Sequence, residues 1–120
     1  MAGESVRQRK VADRIKELVS IVVDRKVKDP DKGFTTITHV RMSPDLRIAS
    51  IYFTVLGDED VTQKTLDVLT RAKNYIRNEI APEIKMRFVP ELRFFVDDTM
   101  EYARKIDKIL ETIKKEDNAK

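Results

Sequence analysis

The stretch over residues 35–57, TTITHVRMSPDLRIASIYFTVLG, decides the fold. In its second half Ala49, Ile51, Phe53 and Val55 recur at every other position. A period of two predicts a strand over 46–56 with one buried face. The first half is equally β-rich, but Ile37, Val40 and Met42 break strict alternation. That change of phase predicts a bulge near His39, where one extra residue resets which side faces inward. Between the halves, Ser43-Pro44-Asp45 supplies turn chemistry, with proline fixing one torsion and the short polar side chains bonding locally. Two strands joined by so short a turn form an antiparallel hairpin.

Upstream of the hairpin, Ser5 followed by Gln8 is a capping-box signature. Val11, Ile15, Leu18 and Val22 then recur at helical spacing, widened by Val19 and Val23, while Arg9, Asp13, Lys16, Ser20 and Asp24 take the opposite side. This predicts a first helix over 5–25, ended by Asp29-Pro30-Asp31-Lys32-Gly33. Downstream, Leu66, Leu69, Ile76, Ile80 and Ile84 would share one stripe on a continuous helix, with Lys73 in the middle of it. An ammonium is poorly placed there. A break at Ala72-Lys73-Asn74 removes the conflict, and asparagine tolerates the left-handed conformation such a break needs. The reading is therefore two shorter helices joined by a kink, the second disturbed by Pro82, with Tyr75 assigned to the core. Leu92, Phe94 and Val96 alternate as a third strand. Asp98 and Glu101 can cap a last helix striped by Tyr102, Ile106, Ile109, Leu110 and Ile113. The fold class is α+β, in the order α-β-β-α-kink-α-β-α, with helices stacked on a three-stranded sheet.

Composition narrows the function. The 120 residues make one domain, expected to span 1–113 with a short polar tail over 114–120. With no cysteine there is no disulfide, zinc-thiolate site or thiol nucleophile. No signal-peptide pattern or membrane-spanning run is present, which predicts a soluble cytoplasmic protein. The 24 basic and 21 acidic residues leave a formal net charge of only +3. Their distribution is uneven: the surplus of positive charge falls within 1–28 and 71–93. Such segregation suits a polyanion-binding face if the fold brings the two blocks together.

Catalytic constellations are missing. His39 is the only histidine and has no cysteine or second histidine to work with, so it reads best as a strand-surface residue. Asp97-Asp98 and Asp58-Glu59-Asp60 could be metal-binding carboxylates, but both precede helix starts, where acids cap free N–H groups. No phosphate-cradling glycine loop or nucleophile elbow occurs. The reading is of a protein that is not an enzyme and needs no cofactor. The basic residues are the better lead. Arg7, Arg9, Lys10 and Arg14 crowd the start of the first helix, where cations oppose the helix dipole by up to about 1 kcal/mol. Contact with phosphates would explain them. Arg71, Lys73, Asn74 and Arg77 form a second group around the expected kink, and Lys85 and Arg87 a weaker third. No aromatic platform interleaves with these groups, so base stacking is not expected from the sequence.

The order β-α-α-β after an initial α-β resembles a type II KH domain, an RNA-binding fold, although the G-x-x-G of that fold is missing. The chain as a whole resembles the ribosome-binding factor A family. The resemblance rests on Arg14-Ile15-Lys16-Glu17-Leu18, Asp29-Pro30, the segment from Ile37 to Leu46 and that from Ala49 to Gly57. It continues through Leu69-Thr70-Arg71-Ala72-Lys73-Asn74-Tyr75-Ile76-Arg77 and Val89-Pro90-Glu91-Leu92-Arg93-Phe94. It implies a KH-like fold with an Ala-x-Gly kink at Ala72, Lys73 and Asn74, where Asn74 stands in place of the family's glycine. It also implies a monomer that binds free or immature 30S subunits and 16S rRNA. Such a factor assists late maturation and 5′-end processing without cleaving RNA, and the family is linked to cold adaptation. Ribosomal proteins and assembly GTPases are further candidate partners; no membrane or small-molecule substrate is implied. The alternative is a protein–protein adaptor without direct RNA contact, using the hairpin edge or the last helix.

Overall fold

The computed structural model describes residues 3–98. The expected last helix and its stripe lie outside the described residues.

Helix α1 runs Val6–Arg25 behind the expected capping box. The Gln8 N–H donates to Ser5 Oγ at 3.0 Å and the Ser5 N–H donates to Gln8 Oε1 at 2.8 Å. Two donors that the helix leaves orphaned are thereby satisfied. Ala12, Ile15, Leu18, Val19, Val22 and Val23 are buried, and Val27 continues the apolar surface beyond the helix end.

Strands β1, Phe34–Met42, and β2, Ile48–Leu56, pair antiparallel. The register shifts between Ile37 and His39, leaving Thr38 as the extra residue. This is the bulge that the hydrophobic pattern demands: Ile37, Val40 and Met42 all reach the core only because the phase changes between them. The turn is tied by Leu46 N–H to Ser43 O and Ile48 N–H to Ser43 Oγ, both at 2.9 Å. Asp45 Oδ1 accepts from Ser43 Oγ at 2.7 Å and from the Arg47 N–H at 3.1 Å. Leu46 sits at φ 61°, the one non-glycine residue with positive φ among the described residues. The turn thus consumes Leu46 and Arg47, and β2 begins at Ile48 rather than at residue 46.

The expected kink is not there. Helix α2 runs unbroken over Glu59–Ile80, straight through Ala72, Lys73 and Asn74 in helical hydrogen bonding. Its buried line passes Thr65, Val68, Leu69, Ile76 and Ile80, with Ala72 packed against the core between them. At 3.6 residues per turn the centre of the stripe falls on Ala72, and Lys73 stands beside it, half-buried. A lysine there can lay its stem on apolar surface and keep its ammonium in water, so no break is needed. Tyr75, expected in the core, is 46% exposed. The helix stops where Pro82 removes a donor: Ala81–Glu83 is a single 3-10 turn.

Strand β3, Glu91–Val96, pairs parallel to β2, giving a sheet ordered β1-β2-β3. A parallel partner requires a crossover, which α2 supplies. Both helices pack on one face of the sheet, burying Ala49, Ile51 and Phe53 of β2 with Leu92 and Phe94 of β3. Each large side chain among these contributes about 1.5–3 kcal/mol of burial. The other face carries no helix among the described residues.

Candidate nucleic-acid interface

Several contacts bring one end of each helix to one end of the sheet. Gln8 Nε2 donates to the Met42 carbonyl at 3.1 Å, fixing the start of α1 beside the end of β1. Near the end of α2, Arg77 Nε donates to Pro90 O at 3.1 Å and its Nη2 to Val89 O at 2.7 Å. Pro90 leads into β3, whose first N–H, from Glu91, donates to Arg47 O at 2.8 Å. The start of α1, the end of α2 and the hairpin turn therefore share one edge of the domain.

The expected contact residues fall into two groups. Arg7, Arg9 and Lys10 are exposed, and among the described residues they have no ion-pair partner. The first turn of α1 contains no acid to neutralise them. Arg14 is engaged: Glu17 lies 3.3 Å and Glu83 3.6 Å from its guanidinium, a link from α1 to the 3-10 turn. Arg71 and Asn74 are exposed or nearly so on α2, and Lys73 is half-buried. Arg77 is a fastener between α2 and the β3 lead-in, with at least two of its donors occupied inside the protein. Lys85 and Arg87 are exposed on the connection to β3.

Sequence reasoning missed a further group at the same edge. The Phe88 ring, 53% exposed, has the Arg47 guanidinium 4.9 Å and the Arg87 guanidinium 5.4 Å from its centroid. Two cations on one exposed ring, within cation–π range, join the turn to the loop before β3. Nothing in the spacing of Arg47 and Phe88 signals this. It depends on the parallel pairing that sets Ile48 opposite Glu91.

The carboxylates behave as structure. Asp58 Oδ1 accepts from the Val61 N–H at 2.9 Å, capping α2, and Glu59 and Asp60 occupy its favourable first turn. Asp97 Oδ2 accepts from the Thr38 hydroxyl at the bulge. Asp45 is held below its ordinary pKa of 3.8, first by the Ser43 hydroxyl and then by the Arg47 N–H. Lys26 is raised above 10.5 by Glu79, which accepts from its ammonium at 2.6 Å. Among the described residues no trio of histidine, cysteine or acidic side chains converges as a metal site, and no helix is long and apolar enough to cross a membrane.

A three-stranded sheet with a parallel third strand, two helices on one face and a basic edge defines a KH-like α+β domain. The chain belongs to the ribosome-binding factor A family, whose model matches residues 7–110. A crystal structure of ribosome-binding factor A from Thermus thermophilus is similar, with a TM-score of 0.66 and 24% identity, covering 74% of this chain and 94% of that one. The solution structure of a Thermotoga maritima protein described as a ribosome binding factor A gives a TM-score of 0.68 at 28% identity, over 79% of this chain and 91% of that one. A homology model of the Thermus thermophilus factor, as fitted into the cryo-electron-microscopy map of a 30S complex with it, gives a TM-score of 0.61 at 24% identity, over 72% of this chain and 90% of that one.

Proposed function

We infer that this protein is a non-catalytic assembly factor that binds free or immature 30S subunits and contacts 16S rRNA. It acts in the cytoplasm as a monomer during late maturation, assisting 5′-end processing without cutting RNA. The observation that carries this reading is the exposed cationic start of α1, Arg7, Arg9 and Lys10, without an ion-pair partner among the described residues, in a chain of this family. Three exposed cations gathered against the helix dipole are mildly destabilising, which phosphate contacts offset through counterion release. Arg71, Lys73 and Asn74 on α2, with Lys85 and Arg87, extend the contact, while Arg14 and Arg77 support it mainly by holding the helices in place. RNA shape, neighbouring ribosomal proteins and assembly GTPases supply selectivity, since phosphate contacts position a protein without reading sequence.

The test is sedimentation of a cell lysate at low and moderate salt. The protein should travel with 30S particles and not with polysomes. Association should fall by orders of magnitude as salt rises, as expected of several phosphate contacts. Co-sedimentation insensitive to salt would favour an apolar adaptor, and equal binding to polysomes would remove the maturation role.

A further inference from the structure

The sheet has one face packed by helices, and the other would ordinarily be polar. Here it is not. The antiparallel register sets His39 opposite Tyr52, and the parallel register sets Tyr52 opposite Phe95. The result is a row of three rings across the sheet, with centroids 5.9 Å and 5.4 Å apart and interplanar angles of 37° and 28°. Phe95 is 42% exposed. Two residues along each strand, about 7 Å away, the next row reads Arg41, Ser50, Arg93. Ser50 is small, so a gap separates two exposed guanidiniums. Arg41 has no ion-pair partner among the described residues, and Arg93 has only Glu91, at 3.0 Å and half exposed. Such a pair is weak in water and exchanges readily.

We propose that this open face is a second RNA-contact surface, one that stacks the bases of unpaired nucleotides on Tyr52 and Phe95 while Arg41 and Arg93 hold the adjoining phosphates. The proposal rests on the RNA-binding reading above and names the kind of RNA taken. Charge decides the occupant. An apolar helix laid on the rings would have to take Arg41 out of water with no ion-pair partner among the described residues, and Arg93 with only Glu91, a costly burial of charge. A single strand offers both chemistries at that spacing, π-faces for the rings and anions for the guanidiniums. A duplex does not, because its base faces are already stacked inside. At the far end of the same face, Phe34 and Leu56 are paired, 68% and 79% exposed. The outward strand residues at that end, Phe34, Thr36, Thr54 and Leu56, include no cation, and they do not belong to the proposed site.

The test uses the full chain titrated with a mixed-sequence single-stranded RNA of about eight nucleotides, a length within the usual single-strand site size, and separately with a hairpin duplex, followed by NMR. Ring protons of Tyr52 and Phe95 should move upfield with the single strand and not with the duplex. Phe95→Leu keeps apolar area but loses the π-face, and should weaken single-strand affinity about ten-fold, in line with about 1–3 kcal/mol per stacked base. Phe95→Tyr should restore it, and both variants should keep the thermal midpoint. RNA binding unchanged in Phe95→Leu, with shifts confined to α1 and α2, would overturn the platform and leave the assembly role standing. Contacts from Ile106 or Ile109 methyls to the Tyr52 or Phe95 rings in the RNA-free protein would overturn it differently, by showing the face covered by the chain itself. Failure to join 30S particles in the sedimentation experiment would remove the broader reading, and is scored separately from this titration.

Discussion

Arg77 carries the charge of an RNA-contacting residue, but its own contacts tie it to the fold. Its guanidinium bridges two consecutive carbonyls, Val89 O at 2.7 Å and Pro90 O at 3.1 Å, and Pro90 is fully buried. Hydrogen bonds from a charged donor are worth about 1.5–3 kcal/mol each. The two share one side chain in a partly buried setting, so truncation should cost about 1.5–3 kcal/mol in all. For a domain of this size each kcal/mol lowers Tm by roughly 4–8 °C. Arg77→Ala should therefore lower the urea midpoint at constant m, with a Tm fall of roughly 6–24 °C. Arg77→Lys should recover only part of this, since an ammonium lacks the planar fork that spans two acceptors. A loss within about 0.5 kcal/mol, the ordinary range for surface changes, would refute the fastener role. Any weakening of 30S binding in Arg77→Ala should then be measured well below the new Tm.

Asn74→Ala separates a continuous helix from a kink by sign. In the helix observed it should stabilise by about 0.5 kcal/mol through propensity, whereas a left-handed kink would lose about 1–2 kcal/mol; urea melts read the difference. Gly33 lies so close to α2 that an added Cβ would fall 2.7 Å from Cγ1 of both Val55 and Val61. Its N–H donates to the buried Thr65 hydroxyl at 2.9 Å. Gly33→Ala should destabilise by roughly 1–3 kcal/mol through overpacking, and an unchanged melt would refute so close an approach. Asp45 has a depressed carboxyl pKa in the fold. Its contribution is present above the unfolded value and lost as pH falls through the lower folded one. A carboxyl-carbon titration should give a midpoint below 3.8, and a midpoint at or above that value would refute the turn contacts.

Local features are legible in the sequence because their signals are local. The Ser5–Gln8 box, the bulge after Ile37 and the cap at Asp58 each follow from neighbours a few residues apart. The kink reading fails because it puts Lys73 on the stripe's centre line, when one step of helical phase puts Ala72 there. Arg77 escapes for another reason: its partners are backbone carbonyls, which leave no mark in the residue pattern. The aromatic row needs two registers at once. His39 meets Tyr52 only if the bulge shifts β1 by one, and Phe95 joins them only if β3 runs parallel. Alternation alone cannot bring those three residues together.

The parallel strand also sets an order of assembly. Met42 finds Ala49 across a short turn, but Ile48 must wait for Glu91, on the far side of all of α2. Closing that long loop costs entropy before any pairing compensates it. The hairpin and α1 can therefore form early, while β3 joins after them and completes the central strand's second edge. Residues 52 and 95 meet only in that later step. On a nascent chain, the ring row and the basic edge around Phe88 thus come into being together, once β3 has paired with β2.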